Sequence, residues 1–126
     1  MKYAIINNLT RPTTQPVRAG FCASFACRLR GLMFHRILDE EESLLLVQGR
    51  DSVLDSSIHM MFVSFDLAVV WINTANEVVD VQLARSWKPA YLPKKAARYV
   101  LEMHASRLNK FRIGDKVKIE QENPPG

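Results

Sequence analysis

The sequence lacks the features that define several large classes of protein. Its 126 residues include only two cysteines, too few for a disulfide-rich scaffold. No window reaches the roughly 18 apolar residues that a membrane-spanning helix requires. The apolar start "MKYAII" turns polar too early for a secretory signal. We therefore expect a soluble, cytoplasmic protein with no membrane span.

The two cysteines are predicted to stay as free thiols. In "AGFCASFACRLRG" (19–31), large apolar residues recur every four positions, which predicts a short helix ending at Gly31. In a helix, the five-residue separation of Cys22 and Cys27 places their Cα atoms about 8 Å apart. That distance exceeds the roughly 7 Å limit for a disulfide, and the spacing is not that of a Cys-x-x-Cys metal or redox pair.

Motifs for the common catalytic and nucleotide-binding sites are also missing. The sequence has no phosphate-binding glycine loop, dinucleotide fingerprint or nucleophile elbow. Its three histidines, His35, His59 and His104, are not paired at close spacing, so only the fold could gather them. We therefore expect neither a cofactor nor a metal, and a binding role is favoured over catalysis.

Short apolar segments separated by turns are what the sequence does contain. They indicate about six or seven strands, one N-terminal helix and a helical turn before the last strand. This set of elements predicts a mainly β protein, either a sandwich or a barrel-like sheet. The single domain should span residues 1–121, and residues 122–126 should form a flexible tail. The clearest predicted strands are 2–7, 44–48, 77–84, 98–105 and 116–121, with two more in 56–73.

Four motifs follow one another in an order that carries a family resemblance. They are "RLRGLMFHR" (28–36), "SIHMMFVSFDLAVVWIN" (57–73), "VVDV" (78–81) and "YVLEMHASRLNKFRIGDKV" (99–117). Together they resemble Domain of Unknown Function family 192 over residues 19–118. The resemblance implies a compact β-sandwich of jelly-roll type and no established activity. Its structural motif residues here are Gly31, Leu32, Met33, Phe34, Gly114 and Asp115.

The chain departs from the family pattern at two motifs. Where the family has a proline and, two residues later, an aspartate, this chain has Asp66 and Ala68. In an unbroken strand these positions share a face, so Asp66 either replaces the family aspartate or marks the loss of a site. His104 and Ser106 likewise stand where the family has proline and glycine, whereas His59 falls on a motif position.

Glu102 is the first candidate binding residue, because it lies between apolar neighbours in a predicted strand. A buried glutamate needs a partner, and Arg28 or Arg30 is the expected one. Arg28 and Arg36 flank "GLMF" and offer forked donors that suit a carboxylate or phosphate. The alternative is purely structural, with an arginine bridging the helix end to the buried acid.

His59 and Asp66 are the polar residues of the longest apolar run, residues 56–73. In one continuous strand they would lie on opposite faces, so an ion pair requires a break near Ser64. The pair could then act as an acid and a base in a pocket. The alternative is a hydrogen-bonded histidine that fixes a loop.

Residues 85–118 form a basic segment, with ten lysines or arginines against two acids. Interspersed aromatic side chains could suit single-stranded nucleic acid, although strand alternation places some of them in the core. A basic edge also discourages aggregation between strands. The aromatic residues are Trp87, Tyr91, Tyr99 and Phe111.

Three functional hypotheses follow. The favoured one is a non-catalytic module that binds a small ligand or protein. The second is an unassigned enzyme that uses His59 with a carboxylate, and the third is nucleic-acid or anion binding through residues 85–118. The candidate ligand-binding residues are Arg28, Arg36, His59, Asp66 and Glu102.

Overall fold

In the computed structural model, seven strands and two short helices form the fold. The structure describes residues 2–33, 35 and 37–122, so Phe34, Arg36 and most of the predicted tail lie outside it. The elements in chain order are β1 (Tyr3–Asn8), β2 (Val17–Cys22), α1 (Phe25–Arg30), β3 (Ser43–Ser52), β4 (Leu67–Ile72), β5 (Val78–Ala84), β6 (Ala97–His104), a 3₁₀ helix (Ala105–Lys110) and β7 (Val117–Gln121).

All seven strands belong to one mixed sheet that curls into a half-barrel. Their order is β5-β4-β6-β3-β2-β1-β7, and neighbours are antiparallel except for the parallel pair β2 and β3. The two edges of the sheet meet at one end. There the backbone N–H of Val78 donates to Asp115 O (2.9 Å), and that of Gly114 donates to Val78 O (2.8 Å).

The mainly β class predicted from the sequence is confirmed, but the sandwich is wrong. The described residues form a single curled sheet, not the two packed sheets of a sandwich or jelly roll. Both faces of this sheet are buried, so its central strands carry continuous apolar runs, whereas a sandwich strand alternates between an apolar and a polar face. The inner face of the curl includes Ala4, Ile6, Val17, Val70 and Ile72, and the other includes Leu44, Leu46, Val69, Trp71 and Val100.

The predicted N-terminal helix is shorter than expected, and the prediction of two free thiols is wrong. Residues Val17–Cys22 form β2, and α1 begins only at Phe25. Ser24 caps this helix by accepting a hydrogen bond from the backbone N–H of Cys27 (3.1 Å). Cys22 therefore lies on a strand and Cys27 on the helix. Their Cα atoms are 5.6 Å apart, and a disulfide joins them.

Only the last part of the apolar run 56–73 forms a strand, which is β4. The second strand predicted in this run is confirmed as β4, which pairs in antiparallel fashion with β5 around a turn at residues 73–76. The first of the two strands predicted in the run is wrong. Before Leu67 the chain forms a loop. Within this loop, Ile58 makes an isolated antiparallel β-bridge to Tyr91. The strand begins directly after Asp66, close to Ser64, where an ion pair of His59 and Asp66 would have required a break.

The motif residues Gly114 and Asp115 join the two ends of the chain. Gly114 adopts a positive φ of 95°, which suits glycine. The buried carboxylate of Asp115 accepts hydrogen bonds from Asn8 Nδ2 (2.8 Å), Arg11 (2.9 Å) and the backbone N–H of Arg112 (2.9 Å). Burial alone would raise the pKa of Asp115, but these donors outweigh it and lower that pKa.

The disulfide should stabilise the fold because it restricts the unfolded chain, and its short sequence separation of 5 residues keeps this gain modest. We expect Cys22→Ser/Cys27→Ser to lower the free energy of unfolding by about 2 kcal/mol through the added entropy of the unfolded chain. Urea denaturation under non-reducing conditions measures this difference. Ser24→Ala, which removes the helix cap but keeps the bond, is the control. Unchanged stability of the double variant would contradict the prediction.

Candidate functional site

A cleft of about 710 Å³ opens between α1 and the loop of residues 53–66, above the outer face of the sheet. This volume is typical of small-molecule sites, which span roughly 300–1,000 Å³. Strands β3, β4 and β6 supply its floor. One wall includes Arg28, Leu29, Arg30 and Gly31, and the opposite wall includes Ile58, His59 and Val63. The floor includes Leu46, Gln48, Leu67 and Glu102.

Glu102 is a buried acid on this floor, with only 4% of its surface exposed. It lies on β6, directly opposite Leu44 on β3 and Val69 on β4. Its Oε1 atom has no hydrogen-bond partner among the described residues. Burial therefore raises the pKa of Glu102 to about 7. Near neutral pH its carboxyl group can either donate or accept a proton.

The predicted partnership of Glu102 with Arg28 or Arg30 is not formed. The Nη1 atom of Arg28 instead donates to Gln48 Oε1 (3.0 Å) and to the backbone oxygen of Val47 (3.2 Å). The side chain of Arg30 makes no hydrogen bond or ion pair with the described part of the chain. Because α1 starts six residues later than predicted, Arg28 extends toward the far end of β3 and not toward β6.

Gly31 connects two of the family motifs at the cleft. It ends α1 with a positive φ of 49°, and its backbone N–H donates to Cys27 O (2.9 Å). A Cβ atom at this position would lie 3.4 Å from Glu102 Oε1. The glycine thus satisfies the backbone turn and also leaves room beside the unpaired oxygen. Of the neighbouring motif residues, Leu32 is buried in the outer core and Met33 packs against it.

His59 connects the two walls of the cleft through backbone groups. Its Nε2 atom lies 3.0 Å from the carbonyl oxygen of Leu29, and its Nδ1 atom accepts from the backbone N–H of Met61 (3.2 Å). This pattern fits the neutral ring with the proton on Nε2, a tautomer assigned from its partners. Both ring nitrogens are therefore occupied, which matches the structural alternative for this histidine.

Asp66 lies away from His59 and does not line the cleft. Its carboxylate accepts from Arg85 (3.1 Å) and from the backbone N–H of Ser86 (2.9 Å). An ion pair of His59 and Asp66 is thus not formed, as strand alternation indicated. Ala68 is fully buried in the inner core of the half-barrel, whereas Asp66 precedes the strand. Asp66 therefore does not place a carboxylate where the family has its aspartate.

The basic segment 85–118 presents few free aromatic faces. Tyr91 and Phe111 are buried in the core, and Tyr99 is half-buried. Trp87 is exposed, and its ring packs edge to face with that of Phe62 at 5.2 Å. A stacking platform for successive bases needs several exposed rings, so this geometry lends nucleic-acid binding little support.

The part of the chain that the structure describes contains neither a metal-binding cluster nor a membrane-spanning helix. Within it, no three histidine, cysteine, aspartate or glutamate side chains are grouped in a way that could hold a metal ion. None of its helices is long and apolar enough to cross a membrane.

The family model for DUF192, described as "Uncharacterized ACR", matches residues 7–119. The chain belongs to this family. A UPF0127 protein of Thermococcus sibiricus is 30% identical, over 91% of this chain and 74% of its own length. One from Thermococcus gammatolerans is 39% identical, over 63% of this chain. The chain spans about half the length of that relative and of another from Thermococcus kodakarensis.

Two solved structures are similar to this DUF192 protein in fold. A Novosphingobium aromaticivorans protein of unknown function is 19% identical, with a TM-score of 0.75 over 92% of this chain and 83% of its own. A Sinorhizobium meliloti protein, which carries the provisional description of a transcription regulator, is 15% identical. Its TM-score is 0.78 over 93% of this chain and 92% of its own. At these identities the similarity to the two solved structures extends to the fold alone. The family resemblance inferred from the motifs is confirmed by the family model and by the UPF0127 relatives.

Sequence reasoning missed several residues that shape the cleft of this DUF192 protein. Gln48 ends the apolar run "LLLVQ", and the hydrogen bond that it accepts from Arg28 had no signal in the sequence. The proximity of Gly31 to Glu102 had no sequence signal, because 71 residues separate them. Arg36 remains a candidate on which the described residues give no information.

The raised pKa of Glu102 should make stability fall with increasing pH. Because the folded-state pKa lies above the unfolded value of 4.5, the neutral group stabilises the fold in acid. That contribution is lost as the pH rises through about 7, by up to about 3 kcal/mol. Glu102→Gln, which cannot ionise, should not show this loss.

Urea denaturation of wild type and Glu102→Gln at a series of pH values measures the effect. The free energy of unfolding of the wild type should fall relative to the variant between pH 4.5 and 7. Glu120→Gln, at an exposed position on β7, is the control and should follow the wild type. Parallel curves for wild type and Glu102→Gln would show that Glu102 titrates normally.

Proposed function

We propose that this DUF192 protein is a non-catalytic binding module whose small ligand enters the cleft and hydrogen-bonds to Glu102. The unpartnered Oε1 of Glu102 at the cleft floor is the observation that carries the proposal. A buried polar atom without a partner costs about 1–3 kcal/mol. A ligand that donates to this oxygen would recover that free energy on binding.

A purely structural role for Glu102 fits these contacts less well. A structural buried carboxylate is normally satisfied by backbone N–H groups or by an arginine, as Asp115 is in this protein. Glu102 has two arginines on the adjacent helix, and neither contacts it. Gly31 also leaves the space beside Oε1 open, where a Cβ atom would lie in contact with this oxygen at 3.4 Å. Both features suit a group that receives its partner from outside.

Binding is also favoured over catalysis by the contacts of His59. An acid–base pair requires the imidazole to lie within hydrogen-bond reach of a carboxylate. Here both ring nitrogens bond to backbone atoms. The other acid lining the cleft, Asp55, lies 3.5 Å from Arg50 in an ion pair. The cleft therefore offers an acidic anchor but no assembled proton-transfer pair.

Glu102→Leu separates binding from stability. Replacing an unpaired buried acid by an apolar side chain should raise the free energy of unfolding above pH 7 by about 1–3 kcal/mol. The same variant should lose ligand binding, because the oxygen that accepts the donor is gone. A stabilising change that removes function is the expected behaviour at a binding site.

Nuclear magnetic resonance with a fragment set of amines, carboxylic acids and alcohols tests this prediction. Fragments that bind the wild type should shift the backbone amides of Leu46, Leu67 and Glu102. In Glu102→Leu these shifts should vanish, whereas Glu120→Leu should behave as wild type. Fragment binding that is equal in wild type and Glu102→Leu would sink the proposal, and so would the absence of any binding at the cleft.

A further inference from the structure

We propose that the ligand of the cleft is a zwitterion with an apolar middle, whose ammonium group meets Glu102 and whose anionic group meets Arg28. This inference rests on the proposed function and adds the class of ligand. It uses two groups of opposite charge that line the cleft without an ion-pair partner among the described residues, and of the unpaired arginines there it uses Arg28, because hydrogen bonds to β3 fix its position.

The ammonium end of the proposed ligand is inferred from the surroundings of Glu102. The carboxyl group faces apolar side chains, with Leu44 and Val69 opposite it on the neighbouring strands. An ionised carboxylate in such a place needs both a charge partner and hydrogen-bond donors. A ligand ammonium group supplies both, since it carries a positive charge and three N–H donors. A neutral hydroxyl group would supply only one donor.

The anionic end follows from the contacts of Arg28. Its two hydrogen bonds go to the uncharged oxygens of Val47 and Gln48, so no acid in the described residues neutralises it. Only Nη1 makes these bonds. The N–H groups on Nε and Nη2 have no partner among the described residues and offer a fork for a carboxylate. Arg50, in contrast, already has Asp55 as an ion-pair partner.

Strand register gives the separation of the two ends. Leu44 on β3 lies opposite Glu102, and Arg28 is anchored at Val47, three residues further along the same strand. At about 3.3 Å per residue, the two anchors are roughly 10 Å apart. An α-amino acid is too short to reach both. An extended tripeptide, at about 3.3–3.6 Å per residue, has the required length between its free ends.

The space between the anchors is apolar. Leu46 and Leu67 from the floor and Val63 from the opposite wall line it, and all three are buried core residues. A hydrocarbon or apolar side chain placed there would be removed from water on both sides. The ligand class is therefore defined by opposite charges at the ends of an apolar segment, whose length matches the roughly 10 Å between the two anchor positions on β3.

Calorimetric titration with 8-aminooctanoate, octylamine and octanoate tests the inference, above the pKa of Glu102 and in the full chain. These probes share one hydrocarbon length and differ in their charged ends. We expect 8-aminooctanoate to bind at least about tenfold more tightly than either single-ended probe, as expected for an added charged hydrogen bond. Equal binding of 8-aminooctanoate and one single-ended probe would overturn the two-ended class.

Variants assign each end of the probe to its residue. Arg28→Gln should reduce the affinity for 8-aminooctanoate to that for octylamine, and Glu102→Gln should reduce it to that for octanoate. Arg112→Gln, at an exposed position away from the cleft, should leave the affinity unchanged. Affinities for 8-aminooctanoate that are insensitive to Arg28→Gln or Glu102→Gln would contradict the assignment.

Failure of the ligand class is distinguishable from failure of the proposed function. If none of the three probes binds but other fragments shift the amides around Glu102, the zwitterion is wrong and the binding module stands. If no fragment of any class binds at the cleft, both are wrong.

Discussion

The unpaired carboxyl group of Glu102 constrains the arrangement of the cleft around it. A carboxyl group inside an apolar sheet face is costly unless something outside the core can reach it. The fold leaves that access open, because α1 ends at Gly31 directly beside Oε1 and the glycine adds no side chain there. The cleft is thus the space that the helix, the loop of residues 53–66 and the acid leave between them.

The walls of the cleft are held by contacts that do not involve Glu102. The disulfide fixes the start of α1 to the end of β2, and His59 links its last turn to the loop opposite. Arg28 anchors the same helix to the far end of β3. Because these three contacts lie at different points along a six-residue helix, the helix can stay in place without any buried residue of its own.

Strands were predictable from the sequence where apolar runs were long. The segments containing β1, β3, β5, β6 and β7 were all identified, and the ordered motifs gave the family. The apolar run of β4 fits a sheet buried on both faces better than a sandwich, whose strands alternate apolar and polar side chains. The choice of a sandwich therefore came from the family resemblance and not from the pattern. The predicted N-terminal helix began too early, because the end of β2 continues the apolar spacing of α1. Placing both cysteines on one helix then hid the disulfide.

At the site, single residues were predictable but their partners were not. The burial of Glu102 followed from its apolar neighbours, and the alternation argument already separated His59 from Asp66. The position of Arg28 depended on where α1 begins, so a shift of that boundary moved its guanidinium from Glu102 to Val47. The space beside Glu102 depends on Gly31, which only the fold brings near.

Direct titration of the Glu102 carboxyl carbon by nuclear magnetic resonance tests the central claim most closely, with Glu102→Gln to assign the signal. If Glu102 is buried without a partner, its midpoint should lie near pH 7. A midpoint near about 4.3, the value of an ordinary exposed glutamate, would show that the group is solvated or paired and would contradict the account.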